Sequence, residues 1–321
     1  MRIGLLVNPR SGRGKARSFA PLMETSLRRR GHRWERLDSQ DEAEAIRWVA
    51  ERASDFERLL VLGGDGSLNA ALNGLPEQPP PTGLVPLGSS NLLGREMKLP
   101  KDPDTVTTML ETGRVLPLDV GLLSSPGLGQ KGLGPEGNQR RSFLCFDCGY
   151  GGELMRRMED IRQRKSGTVF RPLYYPLIFK MFWDWKPKPQ RVIADGEELG
   201  VFPYVIASSV RSYASPHLIL GPTWVNDGYW DLYAMNRAGF WRLLPVAMRG
   251  MLSQVEGSPR VLHRRVRHLK VEGQPSELQI DGDFAGASPV EFQVTDFRLP
   301  LVLPADAPRP DAVAGNDLER L

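Results

Sequence analysis

LLVLGGDGSLNAALNGL, residues 59–75, decides the fold. Leu59–Leu62 is an apolar run of strand length, and Leu68, Ala71, Leu72 and Leu75 then recur at helical spacing until Gly74 and Pro76 end the pattern. Gly63, Gly64, Asp65 and Gly66 lie at the junction. A strand that passes straight into a helix through glycines is the turn of a parallel α/β sheet, and glycines let backbone N–H groups approach a phosphate without a Cβ in the way. An acid inside such a loop repels bare phosphate. Asp65 therefore faces a magnesium shell, orients a lysine, or caps the helix at Ser67–Leu75.

The same alternation extends on both sides. Ile3–Val7 reads as a strand, and Phe19, Leu22, Met23 and Leu27 as a helix stopped by Gly31; Arg33–Leu37 is a second strand. Ala43, Ile46, Val49 and Ala50 mark the next helix, and Leu84–Pro86 a fourth strand. This is the rhythm of a doubly wound parallel sheet. Two further loops fall at strand ends: NPRSGRGK, residues 8–15, with Arg and Lys suited to phosphate charge, and PLGSSN, residues 86–91, rich in hydroxyls. Neither the dinucleotide glycine fingerprint nor the Walker A pattern is present.

After Val115 the strands come without helices between them: Val115–Leu122, Ser142–Cys148, Arg191–Ala194, Phe202–Ala207, Trp230–Ala234, Val266–Glu272, Glu277–Ile280 and Val290–Val294. That pattern predicts a mostly antiparallel second domain, a β-sandwich or curled sheet. The expected boundaries are 1–118 for the α/β domain, 119–304 for the second domain and 305–321 for a mobile tail. Ser124–Asn138 reads as a loop insertion, Leu154–Trp185 as a helical block and Leu243–Met251 as a further helix.

With 321 residues, 40% of them hydrophobic and 25% charged, the chain should fold, and a formal charge of +4 fits anionic ligands or an anionic membrane surface but not nucleic acid. Cys145 and Cys148 have no second pair to complete a zinc site and flank a strand rather than open a helix, so they read as reduced core thiols. The chain opens on a strand and its longest apolar stretch is broken by Pro176 and Lys180, which predicts a cytoplasmic protein, peripheral at most to the inner face of a membrane.

The blocks NPRSGRGK, GGDGSLNAALNGL and PLGSSN, in this order, followed by NDGYWDL at Asn226–Leu232 and LQIDGDF at Leu278–Phe284, resemble the diacylglycerol kinase catalytic-domain family of bacterial lipid kinases and sphingosine kinases. The resemblance covers most of the chain. It implies an N-terminal domain like that of NAD kinase and phosphofructokinase, a C-terminal β-sandwich, and phosphoryl transfer from ATP with Mg2+ to a lipid hydroxyl at a membrane surface. Carried over by motif, Asn8, Ser11, Gly63, Gly64, Asp65, Gly66, Ser67, Leu68, Asn69, Ser89 and Asn91 would hold the nucleotide, with Ser39 a looser match. Asp227 with the carbonyls of Trp224 and Tyr229 would hold the metal, and Asp119 would keep an acid of the family's carboxylate network. Asp65 and Asp283 would be catalytic, Asp283 as the base.

The chain departs from the family in two places. Asp283 stands where the family has glutamate, and Leu92 where many members have aspartate. A D-G-E at Asp195-Gly196-Glu197 precedes the N-D-G turn and reads as an ordinary hairpin, a reading also open for Asp281-Gly282-Asp283. The basic and aromatic residues of 154–185 suit a lipid-docking segment, although a helix packed on the sandwich with solvated arginines is the favoured reading. An NAD-kinase-like phosphotransferase and a nucleotide- or lipid-binding regulator that has lost catalysis remain as alternatives.

Overall fold

The computed structural model describes residues 1–131, 137–164, 174–213, 215–221, 223–252 and 255–307. The chain forms two compact units, Met1–Val120 joined by the segment from Asp296 onward, and Gly121–Thr295.

The first unit runs β1 (Arg2–Val7), α1 (Lys15–Arg29), β2 (Arg33–Asp38), α2 (Glu42–Arg52), β3 (Arg58–Gly63), α3 (Asp65–Gly74), β4 (Thr82–Pro86), α4 (Leu92–Glu96), α5 (Pro103–Thr112) and the start of β5 (Arg114–Ser124). Its strands are parallel in the order β2-β1-β3-β4. Hydropathy places them: β1, β3 and β4 are near-continuous buried runs, as strands covered on both faces must be, while the arginine- and acid-bearing β2 is half exposed at the edge.

The second unit contains the rest of β5, then β6 (Gln139–Ser142), β7 (Cys145–Cys148), α6 (Tyr150–Arg164), α7 (Tyr174–Asp184), β8 (Gln190–Ala194), β9 (Glu197–Phe202), β10 (Tyr204–Ser208), β11 (Ser212–Tyr213), β12 (Ser215–Ile219), β13 (Trp230–Met235), α8 (Phe240–Met251), β14 (Val261–Val266), β15 (His268–Gly273), β16 (Glu277–Ile280), β17 (Asp283–Ala287) and the first half of β18 (Val290–Leu303). One antiparallel sheet has the order β14-β13-β10-β7-β16-β17, and a second is built on β18-β15-β8-β9. Their inner faces share a core centred on Phe146, Trp230 and Phe292, with ring centroids 4.8–6.3 Å apart. This is the sandwich expected from the strand pattern. Neither cysteine is in a disulfide: Cys148 lies in this core, where burial pushes its thiol well up, and Cys145 is buried on the opposite face of β7, accepting from Gln279 Nε2 at 3.7 Å.

The domain boundary differs from the sequence expectation. β18 continues nine residues past Val294; its early part pairs with β15, but Leu301 pairs in parallel with Thr82 of β4. The alternation in Val290–Val294 marks a strand with one solvated face, whereas the following Leu299, Leu301, Val302 and Leu303 are buried as a sheet strand of the first unit requires. The chain from Asp296 therefore belongs with residues 1–120 rather than with the sandwich. Residues 132–136, the part of the tail beyond Ala307, and the side chains of Arg162, Arg164, Lys165, Phe170, Tyr174, Tyr175, Phe179 and Phe182 lie outside the described residues.

Candidate active site

In the first unit the strand ends of β1, β3 and β4 carry three loops that lock into one another. Asn8 is the hub of the first: its N–H donates to the Leu62 carbonyl (3.1 Å), its Nδ2 donates to Ser67 Oγ (3.1 Å), and its Oδ1 accepts from Arg10 N–H (3.1 Å). Gly12, at φ +59°, packs where a Cβ would lie 2.0 Å from the Leu87 carbonyl. The second and third loops meet backbone to backbone. A Cβ on Gly88 would fall 2.6 Å from Gly64 Cα, and the Gly63 carbonyl accepts the N–H groups of Leu87 and Gly88 (2.7 and 3.2 Å). Asn91, held at φ +53°, closes its own loop by donating to the carbonyls of Pro86 and Gly88 (3.0 and 2.8 Å).

The capping chemistry separates the helices of this unit. α2 and α5 are capped by their own Asp41 and Asp102 (2.8 and 2.9 Å). By contrast α1 and α3 start on Gly14 and Gly64 with no side-chain cap, and α1 has no acid in its first turn and exposes Arg13 and Lys15. Helix starts without caps at glycine loops present amide dipoles suited to phosphate oxygens. Gly66 and Ser89 are exposed and Ser11 and Ser67 partly so. Ser39 is turned inward, its hydroxyl and N–H both donating to the Val7 carbonyl (3.2 and 2.9 Å), and Leu68 and Asn69 are buried in α3. Those three support the loops from beneath.

Asp65 is a helix-capping residue, as one sequence reading had it, but the helix it caps is not its own. It is the first residue of α3, buried, and its Oδ2 accepts the N–H of Leu92 at 2.8 Å, the first residue of α4. The carboxylate thus caps a neighbouring helix and ties the second loop to the third. By this geometry Asp65 positions the second loop against the third. Asp119 is fully buried in β5 and pairs with Arg298 Nε at 3.1 Å.

In the second unit, Asp281 and Gly282 form the two-residue turn between β16 and β17, both with positive φ (50° and 88°), and Asp283 opens β17 opposite Ile280. The turn is pinned. The Gly282 N–H donates to Gln279 Oε1 (2.7 Å), and the buried Asp281 carboxylate accepts Ser142 Oγ (2.6 Å) and the N–H groups of Phe143, Leu144 and Cys145 (3.0–3.2 Å). Those three amides are the reason the predicted strand Ser142–Cys148 is broken into β6 and β7. Burial raises the Asp281 carboxyl above its usual range against the pull of its four donors. Asp281→Ala leaves three buried amides unanswered and is expected to cost about 3–5 kcal/mol. Urea unfolding checks this; a loss under about 1 kcal/mol with an unchanged slope would show that water replaces the carboxylate.

Asp195 and Gly196 repeat this turn between β8 and β9 (φ 48° and 86°) on the surface, with Asp195 accepting from Arg267 and His268 N–H (3.1 and 2.8 Å). Glu197 is exposed and pairs with Arg264 at 3.2 Å. The basic helix α6 shows solvated pairing of the expected kind: Arg156 and Arg157 are held by Glu153, Asp160 and Asp184 at 2.6–3.0 Å.

The N-D-G turn does not fit a resident divalent ion. Asp227 Oδ1 accepts the Tyr229 N–H (3.0 Å), and its Oδ2 is bonded by the Arg265 guanidinium, whose carbon also lies 4.6 Å over the Tyr229 ring. Trp224 and Tyr229 offer only carbonyls, and no cluster of His, Cys, Asp and Glu able to hold a metal occurs among the described residues. A guanidinium thus occupies the carboxylate that the motif assigned to a metal. Magnesium without nucleotide should leave the melting temperature unchanged, and Arg265→Ala should cost at most about 1 kcal/mol, since the pair is half exposed. A magnesium-dependent rise in the nucleotide-free protein would restore the metal reading.

The model of the diacylglycerol kinase catalytic domain matches residues 2–123, a span that contains all three loops. Over 315 residues the chain is 23% identical to a diacylglycerol kinase of Staphylococcus epidermidis, covering 95% of this chain and 93% of that one. It is 22% identical to a diacylglycerol kinase of Staphylococcus aureus over 327 residues, covering 99% and 97%. The crystal structure of a diacylglycerol kinase from Bacillus anthracis superposes with a TM-score of 0.65 at 16% identity, covering 97% of this chain and 98% of that chain, a likeness of fold. With the interlocked strand-end loops and the five motif blocks, residues 2–123 match the diacylglycerol kinase catalytic domain, and the chain as a whole is similar to diacylglycerol kinases.

Proposed function

We propose that the enzyme transfers the γ-phosphoryl group of Mg·ATP to the hydroxyl of a diacylglycerol-like or sphingoid lipid presented at a membrane surface. The observation that carries this reading is the interlock of three glycine-rich strand-end loops around helix starts that lack their own caps. Backbone amides at Gly64–Gly66 and at the start of α1, with the hydroxyls of Ser11, Ser67 and Ser89 and the charges of Arg10, Arg13 and Lys15, take the phosphate oxygens. Magnesium enters as part of the substrate complex. The lipid oxygen bonds to the γ-phosphorus as the bond to the β-phosphate oxygen breaks, Asp283 takes the hydroxyl proton, and ADP leaves. Positioning and charge neutralisation supply most of the rate.

Turnover of labelled ATP with mixed micelles carrying diacylglycerol, a sphingoid base or phosphatidylglycerol tests this reading and selects the acceptor. Phosphorylation of NAD in place of any lipid favours the NAD-kinase-like alternative, and nucleotide binding with no acceptor turned over favours the regulator.

A further inference from the structure

We propose that the outer face of α8 is a docking surface for an anionic bilayer, on which the helix lies in the headgroup plane. This deepens the lipid-kinase reading and rests on it for its purpose, but its evidence is separate. α8 buries Leu243, Val246 and Gly250 on one side; a Cβ on Gly250 would meet Leu218 at 2.4 Å, so the helix sits tightly on its own unit. A surface helix normally turns polar residues outward. This one exposes Trp241 (77%), Met248 (58%), Met251 (70%) and, just past its end, Leu252 (66%). Four of the nine strongly exposed large apolar side chains among the described residues thus lie on one short stretch. Spaced at i, i+7, i+10 and i+11, they form a single stripe with Leu244 and Pro245 half-buried along it.

The charge pattern selects the occupant. Residues 240–252 contain no acid, and their charges are Arg242 and Arg249, which flank the stripe on the same side. An apolar stripe with a large aromatic at one end and arginines along its border is the chemistry of an interfacial helix on anionic lipid. At about 18 Å the helix is too short to span a bilayer. It is also too small for a second copy of the chain: one stripe of this length offers a few hundred Å2, short of the roughly 800 Å2 per partner of a standard interface. The segment 154–185, which the sequence offered for this role, has Arg156 and Arg157 already paired to acids.

The test is sedimentation of the whole protein with vesicles of phosphatidylglycerol and phosphatidylcholine, against phosphatidylcholine alone. Native protein should bind the anionic vesicles, more weakly as salt rises, and the triple variant Trp241→Ser/Met248→Ser/Leu252→Ser should bind roughly tenfold or more weakly. Its turnover of a short-chain lipid acceptor dissolved as monomers should equal that of native protein, which shows that the variant folds. Unchanged vesicle binding in the variant overturns the proposal, as does a native dimer on size-exclusion chromatography that the variant reduces to monomer. Should no lipid be turned over by native protein, the vesicle arm still decides the role of α8, and only the kinase reading fails.

Discussion

Asp283→Ala is expected to lower kcat by about two to four orders of magnitude, the range ascribed to a positioned general base. ATP affinity should barely move, because the loops proposed to take the phosphates belong to the first unit. Three features hold Asp283 in place: the left-handed Asp281-Gly282 turn before it, the Gly282–Gln279 hydrogen bond, and the Asp281 cage on residues 142–145. Aspartate is one methylene shorter than the glutamate of the resembling family, so the proposed base would take the proton directly at roughly 3 Å or through one water. Asp283→Glu should therefore keep substantial activity. Glu197→Ala, in the twin hairpin, should leave turnover intact, and Asp195→Ala should cost some stability by freeing the Arg267 and His268 amides, without loss of rate. The opposite pattern, with Glu197→Ala inactive and Asp283→Ala active, would move the base to the other hairpin.

The two D-G turns show what was legible in the sequence and what was not. Both dipeptides form hairpin turns, as read for Asp195-Gly196 and left open for Asp281-Gly282, because Asp and Gly tolerate the positive φ that such turns demand. What the first aspartate of each turn grips is set by tertiary context: a buried break between β6 and β7 for Asp281, an exposed strand junction for Asp195. The parallel sheet was equally legible, since β1, β3 and β4 are unbroken apolar runs. The return of β18 to β4 was not, because a strand's apolar pattern does not say which sheet it joins. Asp65 was legible as a helix-start residue, but its partner Leu92 is 27 positions away, beyond any local signal. Arg265 escaped for a like reason: only the antiparallel pairing of β13 with β14 brings it to the N-D-G turn. In α8 the signal was present. Apolar residues on both faces of one helix, with arginine as the only charge, are what the docking proposed for α8 requires.

Gly88→Ala carries the second large effect, and steric contact alone gives its direction. The added Cβ would stand 2.6 Å from Gly64 Cα and 2.8 Å from Asn91 Oδ1. Real Cβ atoms do not approach backbone so closely, and the Asn91 amide is pinned by its bonds to the Pro86 and Gly88 carbonyls, so the second and third loops must separate by something like 1 Å. A displacement of that size at a phosphate site is worth about a hundredfold in rate. The expected result is therefore a loss of roughly 10²-fold in kcat/KM for ATP with a destabilisation of about 1–3 kcal/mol, the usual cost of overpacking. Gly14→Ala is the control: it lies in the neighbouring loop at φ +87° with open space around its would-be Cβ. It should show the strain of a positive φ in stability and little steric loss in KM. If Gly88→Ala binds and turns over ATP as the native enzyme does, the close seating of Gly64 against Gly88 is not what shapes the nucleotide site.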